Sequence, residues 1–594
     1  MIKVSDYIID FISNQGVKHV FMLSGGMAMH INDSLGKTNK LKYVCCIHEQ
    51  ACTFAAESYA RITGNLGVVI TTCGPAATNT LTGIACSWIE STPLLVITGQ
   101  VKREDLAKSS DLRQSGVQEV NITSIATPIT KYSVMITDPN MIRYELEKCV
   151  SLSKSGRPGP TLLDIPVDVQ ACMVDEYNLI GYIPELVDYS IDKEVLNEVV
   201  SLIQSSKRPV IYAGAGIQMS GASESFLKLI NKLDIPVVVN WNCMDIIEED
   251  HPLYVGRPGA VGQRAANFVI QNSDLLITIG TRLSPLQTGF NYKGYARNAK
   301  MIMVDIDNAE LNKPNIYPYI KIQTDAKVFI ESLLNHSELL KKDCTSWIEQ
   351  CKDWNKKYTS LNPEWLKNEN YVNSYYLLDE ISSQMSAADV YIGGRAGTCV
   401  DAAIQAFKVK YGQRVYVTKG LSSMGNGLPA AIGGAFATNK KIVCVNGDGG
   451  FAMNIQELEV VMRENLPIKF FILDNAGYST VQNTQINIFD SHFVGCNTES
   501  GVTLGNMCKI AEAYGLKTYQ INNHHEMKSI INEVLTSEGP VLCNVKVDPL
   551  QPIVPRQANY KTQDGQMASR PLEDMRPLLD KEELDKIMIS ENNN

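Results

Sequence analysis

The segment Asn446-Gly447-Asp448-Gly449-Gly450 sets one carboxylate among three glycines, directly after Lys441–Val445, a short apolar run that reads as a buried strand. Glycines at a strand end let the backbone approach a phosphate. The helical pattern that follows, roughly FAMNIQELEVVMREN, aims its first N–H groups at the same place. An acid beside a diphosphate is repelled unless a divalent cation lies between them. Mg²⁺ prefers hard oxygen ligands and bridges one or two carboxyl-type ligands to diphosphate oxygens. A second ligand is expected from the end of the next strand, IKFFILDN, which brings Asp474 and Asn475 to the same edge. Asn475 supplies an amide oxygen without further negative charge. A plain turn followed by a helix cap accounts for a lone Gly-Asp-Gly, but not for the strand ending in Asp-Asn beyond it.

Strands that position such residues alternate with helical patterns along the whole chain. HVFML, YVCCI, GVVITT, PLLVITG and TLLDIPVD form a first series. RPVIYAGAG, IPVVVN, DLLITIG and MIMVDID form a second, to about residue 330. After a charged helical stretch, KKDCTSWIEQCKDWNKKY, the third has VYIGG, VYVTKG, KIVCVNGDG, IKFFILDN and VLCNVKV. The pattern predicts an α/β fold of three doubly wound domains with mainly parallel sheets. The first and third are expected to hold ligands at the carboxyl ends of their strands.

A chain of 594 residues is too long for one core and implies three or four domains. The net charge of −10, with no long basic block, argues against nucleic acid or an anionic membrane surface as partner. The 15 cysteines contain no CxxC pair or zinc-ligand spacing and read as reduced, buried small hydrophobes of a cytoplasmic protein. The N-terminus carries Asp6 and Asp10 at helical apolar spacing and does not read as a signal peptide. The most apolar stretch, LGVVITTCGPAATNTLTG, is broken before membrane-spanning length. The tail SENNN is expected to fray.

Gly447-Asp448-Gly449 through Asn475 resembles the diphosphate and metal motif of thiamine diphosphate (ThDP) enzymes. CIHEQACTFAAESYAR, TTCGPAATNTLTG, GRPGPTLLDIPVDVQ and SSMGNGLPAAIGGA match, in order and approximate spacing, the acetolactate synthase-like group of ThDP-dependent decarboxylases and carboligases. The resemblance implies a pyrimidine-binding domain over residues 1–180, a middle domain over 190–335 and a diphosphate-binding domain over 370–594. It implies Asp448, Asn475 and the carbonyl of Gly477 as Mg²⁺ ligands, with Gly447, Gly449 and Gly450 against the diphosphate. Glu49 matches the glutamate that hydrogen-bonds the aminopyrimidine ring and lets its exocyclic nitrogen act as base. Met424 matches the large apolar residue that folds the cofactor into a V. Gly25 and Gly26 match the loop beside the reacting carbon, and Gln118 a glutamine facing the active site. Because the family holds the two ends of one ThDP on different subunits, a homodimer is implied, with a homotetramer as the larger alternative. AGAGI (213–217), GTR (280–282) and DID (305–307) keep the outline of a middle domain that binds FAD in acetolactate synthases, and ADP or nothing in other relatives.

The sequence departs from the family where the acceptor is held. In GTRLSPLQTG, Arg282 is kept, but the arginine that grips the second 2-keto acid falls on Leu286, which cannot make a bidentate charged contact. The tryptophan beyond the metal asparagine falls on Thr484, and Val117 stands where phenylalanine is frequent. The donor half is intact. These features together predict a carboligase that decarboxylates pyruvate and passes the two-carbon unit to an acceptor other than a 2-keto acid. The C-terminal stretch PRQANYKTQDGQMASRPLEDMRPLLD resembles relatives acting on nucleotide-linked keto sugars. The alternatives are acetolactate synthesis from two pyruvates, a nicotinamide dehydrogenase and an inactive regulatory relative. The dehydrogenase reading lacks a full G-x-G-x-x-G and leaves Asp448 unexplained. Intact Glu49, Asp448 and Asn475 argue against the inactive relative.

Overall fold

The computed structural model describes residues 1–109 and 111–589; the SENNN tail lies outside them. Three parallel sheets follow one another along the chain. The first contains β1 (His19–Met22), β2 (Lys42–Cys45), β3 (Gly67–Thr71), β4 (Leu94–Gln100), β5 (Tyr132–Met135) and β6 (Pro160–Pro166), in the spatial order β2-β1-β3-β4-β6-β5. The second contains β7 (Pro209–Ala213), β8 (Val237–Val239), β9 (Leu275–Ile279), β10 (Lys300–Asp305) and β11 (Ile320–Gln323), ordered β8-β7-β9-β10-β11. The third contains β12 (Val390–Gly393), β13 (Val415–Tyr416), β14 (Ile442–Gly447), β15 (Ile468–Asp474), β16 (Lys517–Ile521) and β17 (Val541–Lys546). Its order, β13-β12-β14-β15-β17-β16, repeats that of the first sheet. The fold is therefore three-layered α/β throughout. In each sheet the connections first reverse direction between β1 and β3, β7 and β9, and β12 and β14, where a crevice opens at the carboxyl ends.

The central strands are apolar on both faces because helices cover both faces; every residue of β3, β4 and β6 is buried. The structure adds one strand per sheet to those the sequence predicts: β5, β11 and β16. All three are edge strands. Among the described residues, no helix is long and apolar enough to cross a membrane.

The first and third units meet along two helices, α1 (Glu49–Thr63) and α4 (Gly427–Thr438); α2 (Leu81–Glu90) and α3 (Thr398–Ala406) lie between them in the chain. Gly433 presses on α1 so closely that a Cβ there would lie 2.0 Å from the Ala55 carbonyl oxygen. Beside this contact Arg395, 2% exposed, donates to both Glu57 and the Tyr416 hydroxyl. Tyr416 Oη in turn donates to Glu57 Oε2 at 2.6 Å. Removing Arg395 or Glu57 would leave the other charge buried and unpaired, a loss of about 3–5 kcal/mol. Glu90, at the end of α2, accepts from Gly420 N at 2.8 Å and from Asn242 Nδ2 at 2.7 Å, so one buried carboxylate ties all three units together. The C-terminal stretch forms two short antiparallel pairs, β18 (Arg556–Gln557) with β21 (Met575–Arg576) and β19 (Asn559–Lys561) with β20 (Met567–Ser569). It is fastened to the middle unit by Gln557 N to Ala260 O (2.7 Å) and by Gln271 Nε2 to Glu573 Oε2 (2.6 Å).

Candidate active site

A cavity of about 150 Å³ opens at the switch point of the third sheet. Met424, Gly447, Asp448, Gly449, Gly450, Asn475 and Gly477 all line it. Asp448 stands at the end of β14 and Asn475 just beyond β15, neighbouring parallel strands in register, which brings the two side chains to one edge. The Asp448 carboxylate accepts from Gly449 N at 2.7 Å, Asn475 N at 3.2 Å and Gly477 N at 3.3 Å. Burial nevertheless pushes its pKa up to about 7, as befits a carboxylate without a counter-charge. Asn475 donates through Nδ2 to Ser479 Oγ at 3.1 Å, while its buried Oδ1 has no hydrogen-bond partner among the described residues. An ionisable carboxylate and an unused amide oxygen at one edge are a donor set that fits Mg²⁺. Asp474 is turned away and accepts from Asn544 Nδ2 at 2.9 Å.

Gly447 leaves open space beside the backbone, whereas Gly449 is held by close approach. Gly447 has an extended backbone, and a Cβ on Gly449 would lie 2.4 Å from the Tyr478 ring. The helix expected from Phe451 to Asn465 starts at Asp448 itself and breaks at Asn454 into Asp448–Ala452 and Leu458–Arg463. Asn454 sits at φ −131°, and its Nδ2 donates to Gly425 O at 2.8 Å and Gln50 Oε1 at 3.0 Å, which pins the chain across the break.

Residues that the sequence reading missed complete the cavity. Gly397, with φ +81°, ends the β12 loop, and Thr398 begins α3. Thr398 Oγ1 lies 3.1 Å from Ser479 Oγ at the start of α5 (Ser479–Ile488), so two helix N-termini meet at the wall. Asn426 and Asn446, 1% and 3% exposed, also line it and carry side-chain atoms without partners: both polar atoms of Asn426, and Nδ2 of Asn446. Asn446, two positions before Asp448, was the one readable from its place at the strand end.

Gly25, Glu49 and Gln118 form a second group in the first unit, and among the described residues none of them lines that cavity. All three face the connection after β3. A Cβ on Gly25 would meet Thr72 at 2.3 Å, and Gly74 packs against the Gln118 carbonyl. Glu49 Oε2 accepts from Asn79 Nδ2 at 2.9 Å. Gln118 itself is exposed, with φ +66°, and Val117 beside it is 77% exposed. Glu49 is 8% exposed and opens α1. The turn before it is held from the third unit: Glu457 accepts from Ile47 N and His48 N, each at 3.0 Å.

Burial pushes the Glu457 carboxyl up to about 7, against the pull of those two N–H groups. Its ordinary value is 4.5. Between these values the folded chain holds a proton that the unfolded chain has lost, so this group's contribution to stability falls as pH rises through that window. Glu457→Gln keeps an acceptor for the turn and removes the titration. The difference in melting temperature, variant minus wild type, is expected to grow from pH 5 to pH 7, an effect of at most about 3 kcal/mol. Parallel melting curves across that range would show that Glu457 does not titrate there.

In the middle unit, a cavity of about 470 Å³ lies at the switch between β7 and β9. Gly214 and Gly280 touch with no room for a Cβ on either. The cavity wall contains Arg157, Arg282 and Leu286. Arg157 is paired with Asp307 at 3.0 Å and Glu310 at 2.8 Å, and Arg282 with Glu310 at 3.0 Å. Leu286 packs against the apolar cluster around Trp241. Thr484 is exposed on α5, with its hydroxyl turned back to Thr480 O at 3.0 Å.

Known proteins match most of the chain. Residues 2–125 match the family described as "Thiamine pyrophosphate enzyme, N-terminal TPP binding domain". Residues 196–333 match its "central domain" and residues 395–545 its "C-terminal TPP binding domain". The chain is 33% identical over 558 residues to the acetolactate synthase large subunit of Porphyra purpurea, covering 91% of each. It is 33% identical over 572 residues to a probable acetolactate synthase large subunit of Methanocaldococcus jannaschii, 93% of each. It is 31% identical over 584 residues to a chloroplastic acetolactate synthase 2 of Nicotiana tabacum, covering 94% of this chain and 84% of the relative.

Proposed function

Because the chain belongs to the thiamine pyrophosphate enzymes, in their acetolactate synthase-like group, we propose that it is a carboligase that decarboxylates pyruvate and transfers the two-carbon unit to an acceptor carbonyl that is not a 2-keto acid. A nucleotide-linked keto sugar is the acceptor class that fits. ThDP, when bound, would supply a carbon nucleophile and an electron sink for decarboxylation of the donor keto acid. Asp448, Asn475 and the Gly477 carbonyl would hold Mg²⁺ beside the diphosphate, and Gly447, Gly449, Gly450 and the start of α3 would receive the diphosphate oxygens. Met424, on the wall of the same cavity, would support the cofactor. Glu49 holds and returns a proton at the aminopyrimidine ring, and Gly25 and Gln118 face the reacting groups. The separation of the Glu49 group from the Asp448 cavity within one chain supports a homodimer in which each site takes Glu49 from one subunit and Asp448 from the other.

The observation that carries the acceptor reading is that position 286, where the family's acceptor-gripping arginine falls, is a leucine packed against the apolar cluster around Trp241. A missing charged hydrogen bond is worth roughly 1.5–3 kcal/mol, or about 10- to 150-fold in the acceptor step at about 1.4 kcal/mol per decade. Pyruvate alone is therefore expected to give slow, poorly saturating acetolactate formation. Leu286→Arg with Thr484→Trp is expected to raise acetolactate output and weaken use of the native acceptor. Product analysis by mass spectrometry, with pyruvate and a panel of keto-sugar nucleotides in competition, checks this. Fast acetolactate synthesis with no sugar product would favour the second reading, acetolactate synthase, which the names of the relatives support.

FAD is the proposed occupant of the middle unit. Two adjoining cavities of about 470 and 520 Å³ share Ser91, Ala215 and Asn242, which suits an extended dinucleotide. Fifteen free cysteines support the cytoplasm, a reducing compartment, as the site of action.

A further inference from the structure

Gln118 occupies a backbone position that ordinarily takes glycine. Glu119 N donates to Gly116 O at 3.1 Å, which closes a turn over Gly116, Val117, Gln118 and Glu119. Gln118, third in that turn, has φ +66°. A positive φ there favours glycine or asparagine. A longer side chain is strained and persists only where its surroundings over-determine it. Val117 and Gln118 at the tip are exposed, whereas Gly116 is buried, with room for no Cβ against Val101.

The surroundings are built to hold this turn from both sides. Glu119 Oε1 accepts from Ala107 N at 2.7 Å, and its Oε2 accepts from Ser115 N at 2.8 Å and Gly116 N at 3.0 Å. Gln114 Nε2 donates to Glu119 O at 3.1 Å. Partial burial pushes the Glu119 carboxyl up, but the three N–H groups outweigh it and hold the group below the usual carboxylate range. On the other side, Val120 O accepts from Gln100 Nε2 at 3.0 Å. The same nitrogen donates to Asp164 Oδ2 at 2.8 Å, and Gln100 Oε1 accepts from Val101 N at 3.0 Å. Asp164, fully buried on β6, accepts also from Thr98 Oγ1 at 2.7 Å. Gln118 is thus flanked by one residue tied to the preceding loop and one tied to the sheet core. Its carbonyl lies 2.4 Å from where a Cβ on Gly74 would stand, which seats the turn against the connection after β3.

A glycine at position 118 would follow the same path without strain. The clamp therefore serves the side chains at the tip, and Val117 is one of the positions where the acceptor pocket departs from the family. We propose that Glu119 is a positioning residue: its carboxylate holds the strained turn so that Val117 and Gln118 meet the acceptor, and it acts on transfer to the acceptor rather than on the loss of CO₂. The proposal rests on the reading that these two residues face the reacting groups.

The test uses the ThDP- and Mg²⁺-loaded enzyme, with pyruvate as donor and acetaldehyde as an acceptor without a carboxylate. Each transfer takes up one proton, forms one C–C bond to give acetoin and releases one CO₂, while uncoupled turnover releases CO₂ without acetoin. Glu119→Gln fills the same space but turns an NH₂ group toward backbone donors that need an oxygen. Acetoin formed per CO₂ is expected to fall about 10- to 100-fold, since a misplacement of about 1 Å costs up to about 10²-fold. The acetaldehyde KM is expected to rise, with CO₂ release at the wild-type rate. Gln118→Gly is expected to lose coupling to a similar extent. The double variant is expected to lose no more than Gln118→Gly alone, because a residue that acts only through another adds nothing once that other is gone. Circular dichroism verifies the fold of each. Losses that multiply in the double variant, or CO₂ release that falls in step with acetoin, would make Glu119 a general structural support and overturn the proposal. Wild-type coupling in Glu119→Gln beside a damaged Gln118→Gly overturns it alone. Wild-type coupling in Gln118→Gly refutes the underlying reading of Gln118, and the proposal with it.

Discussion

Asp448→Ala is expected to abolish Mg²⁺-dependent retention of ThDP while leaving the fold intact. The carboxylate is the only charged member of the proposed ligand set, since Asn475 and the Gly477 carbonyl contribute neutral oxygens. Three backbone N–H groups already converge on it. In the wild type these donors and a bound cation would share the negative charge. In the variant the cation must bind to neutral oxygens alone, and the diphosphate loses the ion that offsets its charge. Isothermal titration of the apo-enzyme with ThDP, with and without Mg²⁺, reads both effects. Unchanged ThDP affinity that still depends on Mg²⁺ would place the metal elsewhere. Asp448→Asn removes the charge but keeps one neutral oxygen in place, and is expected to lose binding too, though less completely than Asp448→Ala.

Glu49→Gln is expected to keep ThDP binding and to lower turnover by about 10²- to 10⁴-fold, the range for a positioned acid–base group. Glu49 is 8% exposed and has one protein partner, Asn79 Nδ2, leaving the rest of the carboxylate available to a ring nitrogen. Glutamine fills the same space and accepts the same hydrogen bond, but it cannot take up and return a proton. Stopped-flow measurement of pyruvate decarboxylation at matched cofactor occupancy separates this from a binding defect. Decarboxylation at the wild-type rate would refute the assignment.

The parts of the site that were legible in the sequence are those whose chemistry is local. Asp448 on a glycine-rich strand end, and Asn475 at the end of the next apolar run, declare themselves within one βαβ unit. Glu49 required the family resemblance, because an acid at a helix start has an ordinary electrostatic explanation. Asn79 and Asn426 gave no signal, since each becomes meaningful only where separate loops converge. Thr398 was hidden for the same reason, its neighbour Ser479 lying on another helix. The strands overlooked were the edges β5, β11 and β16. The sequences of β11 and β16, IKIQ and KTYQI, mix polar with apolar residues because one flank faces solvent, so they lack the continuous apolar run of a central strand. The helix after Asp448 reads as continuous because its apolar spacing continues through Asn454. The break comes from hydrogen bonds to Gly425 and Gln50, residues far away in the chain.

The close packing of α1 on α4 bears on how such enzymes can be recombined. One helix carries Glu49 at its start and Glu57 two turns later. Gly433 meets it from the other unit without space for a methyl group, and Arg395 and Tyr416 enclose Glu57 from the same side. A chimaera that took its first unit from one relative and its third from another would have to match all of these at once. Crossovers inside the middle unit therefore separate partners that must be inherited together, whereas exchange of the middle unit as a block, with Asn242 retained for Glu90, leaves the α1–α4 seam as one lineage. Libraries built to change the acceptor are best cut on either side of residues 280–290 and in the C-terminal stretch that covers them, where substrate preference can drift without disturbing that inheritance.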